Sequence, residues 1–270
     1  MKIALIQLCS ALDPEENLKK IQSFIDKAKK ESEVEALFLP EVFYSMSDGT
    51  SATPYLVESG NEHYLNIQNL AKRNNLYLIG ASAATKNPTG EKVLNRNYNF
   101  SPTGEELSSY DKMHLFSVDL SRHESKTVVD ESIVYTNGSE PKILTLDKWK
   151  IGLSICFDLR FPELYRYYFS KGVNLISVAS AFTVPTGKAH WETLLRARAI
   201  ENQSYVIGAN QVGAHNDKIK TYGHSLIVDP WGEVLANLGD TEGYAIVDLK
   251  ISEVEKVRKR INVTQKFFTS

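Results

Sequence analysis

Cys156 closes the apolar run Ile151-Gly152-Leu153-Ser154-Ile155 and precedes Phe157-Asp158-Leu159-Arg160-Phe161-Pro162-Glu163, where a helix should begin. A strand-to-helix corner of this kind sets a thiol at the carboxyl end of a sheet. Ligands bind there in α/β proteins, and turn N–H groups can face a developing oxyanion. Taken alone, the residue is either a nucleophile or a small buried hydrophobe, as free cysteines commonly are. Cys9, the other cysteine, ends the first strand with no turn behind it and reads as structural. A thiol needs a base to ionise at neutral pH. The six histidines, His63, His114, His123, His190, His215 and His224, form no cysteine–histidine pattern. Glu41, directly after Leu37-Phe38-Leu39-Pro40, is a base if burial raises its pKa and a solvated loop charge otherwise. Lys112, in Tyr110-Asp111-Lys112-Met113-His114-Leu115-Phe116, reads by itself as surface charge. The cysteines and histidines lack metal-ligand spacing, so neither a metal nor a cofactor is expected.

The elements that must position these residues alternate. Residues 2–8 read as a buried strand. Asp13-Pro14-Glu15-Glu16 then supplies an N-cap, a first-turn proline and an early carboxylate for a helix to about 31. A strand at 36–39 is stopped by Pro40; a helix near 60–74 and a strand at 76–82 repeat the unit. Residues 93–111 change rhythm, with two strands flanking Ser101-Pro102-Thr103-Gly104, which indicates an antiparallel hairpin and hence mixed sheets. Strands at 149–155 and 173–179 alternate with helices at 161–171 and near 188–202. Strands at 205–210, 225–229, 233–237 and 244–249 lead to a short C-terminal helix. On the helix near 188–202, Trp191, Leu194, Leu195 and Ala199 share one face as core, and Arg196 and Arg198 can pair with Glu192 or Glu201. No linker or repeat intervenes, so residues 1–270 are expected to form one domain of two sheets covered by helices.

Composition narrows the function. The chain has 270 residues, 42% hydrophobic, enough for a substantial core. Its 31 Lys and Arg against 33 Asp and Glu leave a net charge of −2, which argues against nucleic acid as a partner. The N-terminus carries only about seven apolar-rich residues before polar ones, too few for a secretory signal. Nowhere do some 18 apolar residues run together, so no membrane partner is expected and a cytoplasmic protein is.

Three segments, Leu39-Pro40-Glu41, Tyr110-Asp111-Lys112-Met113-His114-Leu115 and Ile155-Cys156-Phe157-Asp158-Leu159-Arg160-Phe161-Pro162-Glu163, together resemble the nitrilase superfamily of carbon–nitrogen hydrolases in order and spacing. The similarity continues through Ala189-His190-Trp191-Glu192, Arg196-Ala197-Arg198-Ala199-Ile200-Glu201-Asn202, Tyr222-Gly223-His224-Ser225 and Asp229-Pro230-Trp231-Gly232. It is greatest to the branch containing deaminated glutathione amidase and ω-amidase, although Phe157 stands where that branch commonly has tyrosine. The resemblance implies a four-layer α-β-β-α sandwich and a catalytic group of Glu41, Lys112 and Cys156, with an additional glutamate at Glu131; Glu124 is its rival. It implies that a small amide, such as a 2-oxo acid amide, is cleaved through a cysteine thioester. Further alternatives are a C4–C5 ω-amide, an N-carbamoyl compound, or a non-catalytic scaffold of the same fold. Lys112 and the backbone N–H of Phe157 would bind the tetrahedral oxygen. Arg160 would hold a substrate carboxylate or form a structural salt bridge, and Thr183 would line the pocket. A homodimer is expected through the helix bearing Tyr165, Tyr167, Tyr168 and Phe169, whose aromatic surface one subunit should not cover alone.

Overall fold

The computed structural model describes residues 1–119 and 128–263. In chain order the first elements are β1 (Lys2–Gln7), α1 (Pro14–Glu31), β2 (Ala36–Phe38), α2 (Glu62–Asn74), β3 (Tyr77–Thr85), β4 (Val93–Phe100) and β5 (Glu106–Asp111). Short strands β6 (Ser117–Asp119), β7 (Val128–Asp130) and β8 (Tyr135–Thr136) follow, then β9 (Ile143–Leu146), β10 (Trp149–Ile155) and α3 (Pro162–Ser170). The last part holds β11 (Leu175–Ser180), α4 (Val184–Asn202), β12 (Tyr205–Asn210), β13 (Val212–Ala214), β14 (Lys220–Tyr222), β15 (Leu226–Val228), β16 (Val234–Asn237), β17 (Gly243–Asp248) and α5 (Ile251–Arg260).

Two mixed sheets result. One runs β17-β1-β2-β3-β4-β5, with β8 added against β4; the other runs β16-β15-β12-β11-β10-β9. The β1–β2–β3 and β10–β11–β12 sets are parallel, as their helical crossovers require, and the flanking pairs are antiparallel. Side-chain parity sorts the layers. Ile3, Leu5, Ala36 and Phe38 share a core with Leu153, Ile155 and Val178 of the second sheet. Their strand neighbours Ala4, Ile6 and Leu37 pack with Ile21, Ile25 and Ala28 of α1 and Ile67 and Leu70 of α2. Helices α3 and α4 cover the far side of the second sheet, giving the four-layer α-β-β-α order. α1 begins as its sequence implies, with Asp13 accepting the Glu15 N–H at 2.9 Å and Pro14 at the first position.

Two expectations change. α4 starts at Val184 rather than near 188, because extended Thr183 ends the preceding loop and Pro185 fits a first helical turn. On α3, Tyr165 and Tyr168 lie wholly inside the subunit, bonding Ser154 Oγ and the Leu153 carbonyl, so neither belongs to an association surface. Phe169 lies beneath the Arg166 and Arg258 guanidinium groups. Tyr167 alone of the four is substantially exposed, at 41%.

The Tyr168 ring lies over Gly152 so closely that a β-carbon there would come within 2.6 Å of the ring. Gly152→Ala should therefore lower stability by about 1–3 kcal/mol. Urea unfolding of the variant would measure this; an unchanged midpoint would mean that the ring yields without cost.

Candidate active site

The carboxyl ends of β2, β5 and β10 converge at the seam between the sheets. Pro40 ends β2, so the chain turns at Glu41, and Val42 takes a left-handed conformation with φ of 47°. The turn is fixed from the opposite sheet: Glu41 N–H donates to the Ser180 carbonyl at 3.4 Å, and the Gln211 amide donates to the Glu41 carbonyl at 2.9 Å. Lys112 follows β5, its N–H donating to the Asn95 carbonyl and its carbonyl accepting the Gly138 N–H at 2.8 Å. Only glycine fits at 138, since a β-carbon would lie 2.3 Å from the Asp111 carbonyl oxygen. Cys156 itself has φ of 47°, a conformation that aims its side chain out of the strand line. A 3₁₀ turn from Cys156 to Arg160 follows it and leads into α3.

Lys112 is 2% exposed, and its ammonium lies 2.8 Å from Glu41 Oε1 and 2.8 and 3.0 Å from the two oxygens of Glu131. Burial works to strip the Lys112 proton, yet the Glu131 and Glu41 carboxylates prevail and hold its pKa well above the ordinary lysine value. Burial raises the Glu41 pKa, opposed by Lys112 and reinforced by Glu131; its carboxyl also hydrogen bonds the Cys156 thiol. Burial and then the Glu41 charge push the Cys156 thiol well above its usual range, against the pull of Lys112 and of the Ala181 N–H. A thiol and a carboxyl that share a hydrogen bond, both with raised pKa, thus stand beside a cation that stays charged.

These residues form the floor of a cavity of about 500 Å³. Glu131, on a 3₁₀ turn, is fixed by the Phe116 N–H at 2.8 Å and reaches Lys112; its sequence rival Glu124 lies outside the described residues, as does His123. Phe157 stands against Phe116 with ring centroids 5.3 Å apart, and its N–H belongs to the first turn of a helix, where donors lack intrahelical acceptors. Arg160 is half-buried on the wall between the rings of Phe157 and Phe182, at 5.7 and 5.5 Å, with two guanidinium nitrogens 3.3 Å from His190 Nδ1. Among the described residues no carboxylate pairs with it, in contrast to the salt bridge that sequence allowed. Burial lowers its pKa. Thr183 lines the same cavity, its hydroxyl 2.9 Å from that of Thr186. The rim carries Lys218 and Lys220, the former 2.6 Å from Asp48.

Two residues escaped the sequence reading. Asp158, fully buried, accepts from Ile155 N–H, Tyr110 OH and His114 N–H at 2.7–3.0 Å, tying the Cys156 corner to the segment bearing Lys112. Asn95 donates to Glu41 Oε1 at 2.8 Å. Its signal was the alternation Asn95, Asn97, Asn99, three amides on one face of a strand that is otherwise largely apolar. Cys9 stays away from this site, its sulfur 3.6 Å from His215 Nδ1.

The chain that brings this thiol, carboxylate and ammonium together in a four-layer sandwich is similar to carbon–nitrogen hydrolases. The family model of that description matches residues 2–259, and the chain belongs to the family. Its relatives include amidases. A deaminated glutathione amidase of Dictyostelium discoideum is 38% identical, spanning 97% of this chain and 92% of that protein. Omega-amidase NIT2 of Mus musculus is 33% identical over 97% and 93%. The crystal structure of Saccharomyces cerevisiae Nit3, a member of branch 10 of the nitrilase superfamily, superposes with a TM-score of 0.85 at 28% identity, covering 98% of this chain and 96% of that one.

Because the Glu41 charge is one cause of the raised thiol pKa, Glu41→Gln should lower the pKa of Cys156. Ultraviolet thiolate absorbance against pH, with Cys156→Ser as blank, would read the shift. An unmoved or higher value would show that Glu41 is already neutral beside the thiol.

Proposed function

We propose that the protein hydrolyses the ω-amide bond of a small 2-oxo acid, that of deaminated glutathione first and that of a C4–C5 ω-amide second. The observation that carries this reading is the buried Glu41–Lys112–Cys156 group at the floor of a cavity whose wall holds the Arg160 guanidinium, which pairs with no carboxylate among the described residues. The thiol proton passes to Glu41 as sulfur attacks the amide carbon. Lys112 and the Phe157 N–H receive the oxyanion, the carbon–nitrogen bond breaks, and Glu41 returns the proton to the departing amine or ammonia. Water then attacks the thioester with Glu41 again as base, releasing the acid. Glu131 keeps Lys112 charged and in place. Arg160 receives the carboxylate of the 2-oxo acid, and Thr183 borders that end of the cavity.

We also read residues 1–270 as one domain, supported by strand β17 returning from the far end of the chain to pair with β1. A thiol nucleophile suits a reducing compartment, which favours the cytoplasm. No helix among the described residues is long and apolar enough to cross a membrane. A homodimer is supported by exposed Tyr167 beside a groove lined by Met113, Phe161 and Leu164.

Purified protein should release the amine cysteinylglycine from deaminated glutathione and ammonia from primary ω-amides of 2-oxo acids, and Cys156→Ala should release neither. Lys112→Ala should lower kcat by at least about 100-fold, as expected for a lost oxyanion donor. Arg160→Gln should raise KM for amides bearing a carboxylate while sparing uncharged ones. Silence across the amide panel, or turnover that survives Cys156→Ala, would overturn the reading. Sedimentation equilibrium should give the mass of two chains, and Tyr167→Glu the mass of one; a monomeric parent rejects the dimer.

A further inference from the structure

Asn95 on β4 is 1% exposed and touches every charged member of the cluster. Its carbonyl accepts the Lys112 N–H at 3.0 Å, and its Nδ2 donates to Glu41 Oε1 at 2.8 Å and reaches Glu131 Oε1 at 3.4 Å. At the other end, Asn95 Oδ1 accepts from Ser82 Oγ at 2.9 Å, and Ser82 Oγ accepts the Val42 N–H at 2.9 Å. Two carboxylates offer only acceptors, so the NH₂ end must face them, and the Ser82 hydroxyl then points its hydrogen at Oδ1. The chain of bonds thus closes a loop. It starts at the residue after Glu41, crosses β3 and β4, and returns to the Glu41 side chain.

Lys112 and Asn95 both donate to Oε1 of Glu41, and Oε2 receives neither. A carboxylate held through one oxygen by two donors cannot rotate about its last torsion without losing one of them. The same amide also serves Glu131, so it relieves the repulsion between two acids that share one cation.

We propose that Asn95 is a positioning residue that locks the Glu41 carboxylate so that Oε2 stays directed at the Cys156 thiol. The inference rests on reading Glu41 as the proton acceptor. In the step concerned, the S–H bond breaks, its proton bonds to Oε2, and the sulfur electron pair forms the bond to the amide carbon while the carbonyl pair moves onto oxygen. Asn95 gains and loses no proton. The ionisable groups facing it are Glu41 after β2, Lys112 after β5, Glu131, Tyr135 on β8 and Cys156 after β10. Arg96 and Asp111 pair with each other alongside, at 2.6 Å.

Asn95→Asp keeps the shape and supplies a titratable test. While the new carboxyl is protonated it can still donate one hydrogen to Glu41; once ionised it donates none and adds a third anion. Activity should accordingly be present at acidic pH and fall as pH rises through that ionisation, giving kcat an alkaline limb that the parent lacks. At neutral pH kcat should be down about 100-fold, the scale of a misplaced reacting group, with KM changed by less than about twofold. Ser82→Ala, which removes only the donor to Oδ1, should lower kcat about tenfold. Parent kcat and pH profile in Asn95→Asp, or a rise in KM alone, would overturn the inference. Where thermal unfolding shows Asn95→Asp to be misfolded, Ser82→Ala decides on the same readouts. Glu41→Gln is assayed alongside. If it is inactive while Asn95→Asp behaves as the parent, only the positioning role fails; if it keeps parent activity, the reading of Glu41 fails with it.

Discussion

A buried ammonium that two carboxylates must share is the constraint on which the rest of this structure depends. Removing Lys112 from water costs several kcal/mol, and either acid alone would leave the balance poor. With both present the cation is permanent. The two acids then outnumber the one base, and burial together with this surplus negative charge holds the thiol pKa well above its usual range. Moving the thiol proton from sulfur to Glu41 leaves the total charge unchanged, so attack by sulfur need not place new charge in a dry site. Reactivity is thereby coupled to the arrival of a carbonyl able to take the electron pair.

Meeting that constraint requires three chain ends from two sheets, and the bonds that join the sheets are those that aim the site. Glu41 belongs to the first sheet but is fixed by Ser180 and Gln211 of the second. Cys156 belongs to the second, and Asp158 beside it binds Tyr110 and His114 of the first. Buried polar groups cost free energy unless satisfied, so these links discriminate against slipped packings of the two sheets more than they add net stability. A shift of β10 against β5 by one residue would take the Tyr110 and His114 donors away from Asp158.

Strands 2–7, 36–38 and 149–155 were legible because apolar runs end at proline or at a polar corner, and the same ends revealed Glu41 and Cys156. Less legible were residues whose environment depends on pairing. Asn95 sits in a strand that looks half-polar until β3 and β5 bury it on both sides. Tyr165 and Tyr168 seemed too many aromatics for one helix. Their hydroxyls, however, reach Ser154 and the Leu153 carbonyl, so the rings enter the core with their polar tips satisfied. Short strands such as β6, β7 and β13 carry too few residues for a period to show. Arg160 is the converse case: sequence offered acids for it, and the fold gave it ring faces and an imidazole instead.

The charge pattern of the cavity orders what can enter it. At the floor two acids face one cation and the thiol, whereas the rest of the lining carries Arg160, Lys218 and Lys220 against Asp130 and Asp217, with Asp48 paired to Lys218. The surplus of negative charge therefore lies at the floor, with the Arg160 guanidinium apart from it on the wall. A carboxylate is repelled from the floor and drawn to the wall, while a neutral amide meets no such penalty at the floor. For a molecule carrying both groups, this fixes the amide end inward before any hydrogen bond is made. Its hydrolysis converts that inner end into a carboxylate, which the two acids then oppose. The polarity that selects the substrate thus also favours departure of the product.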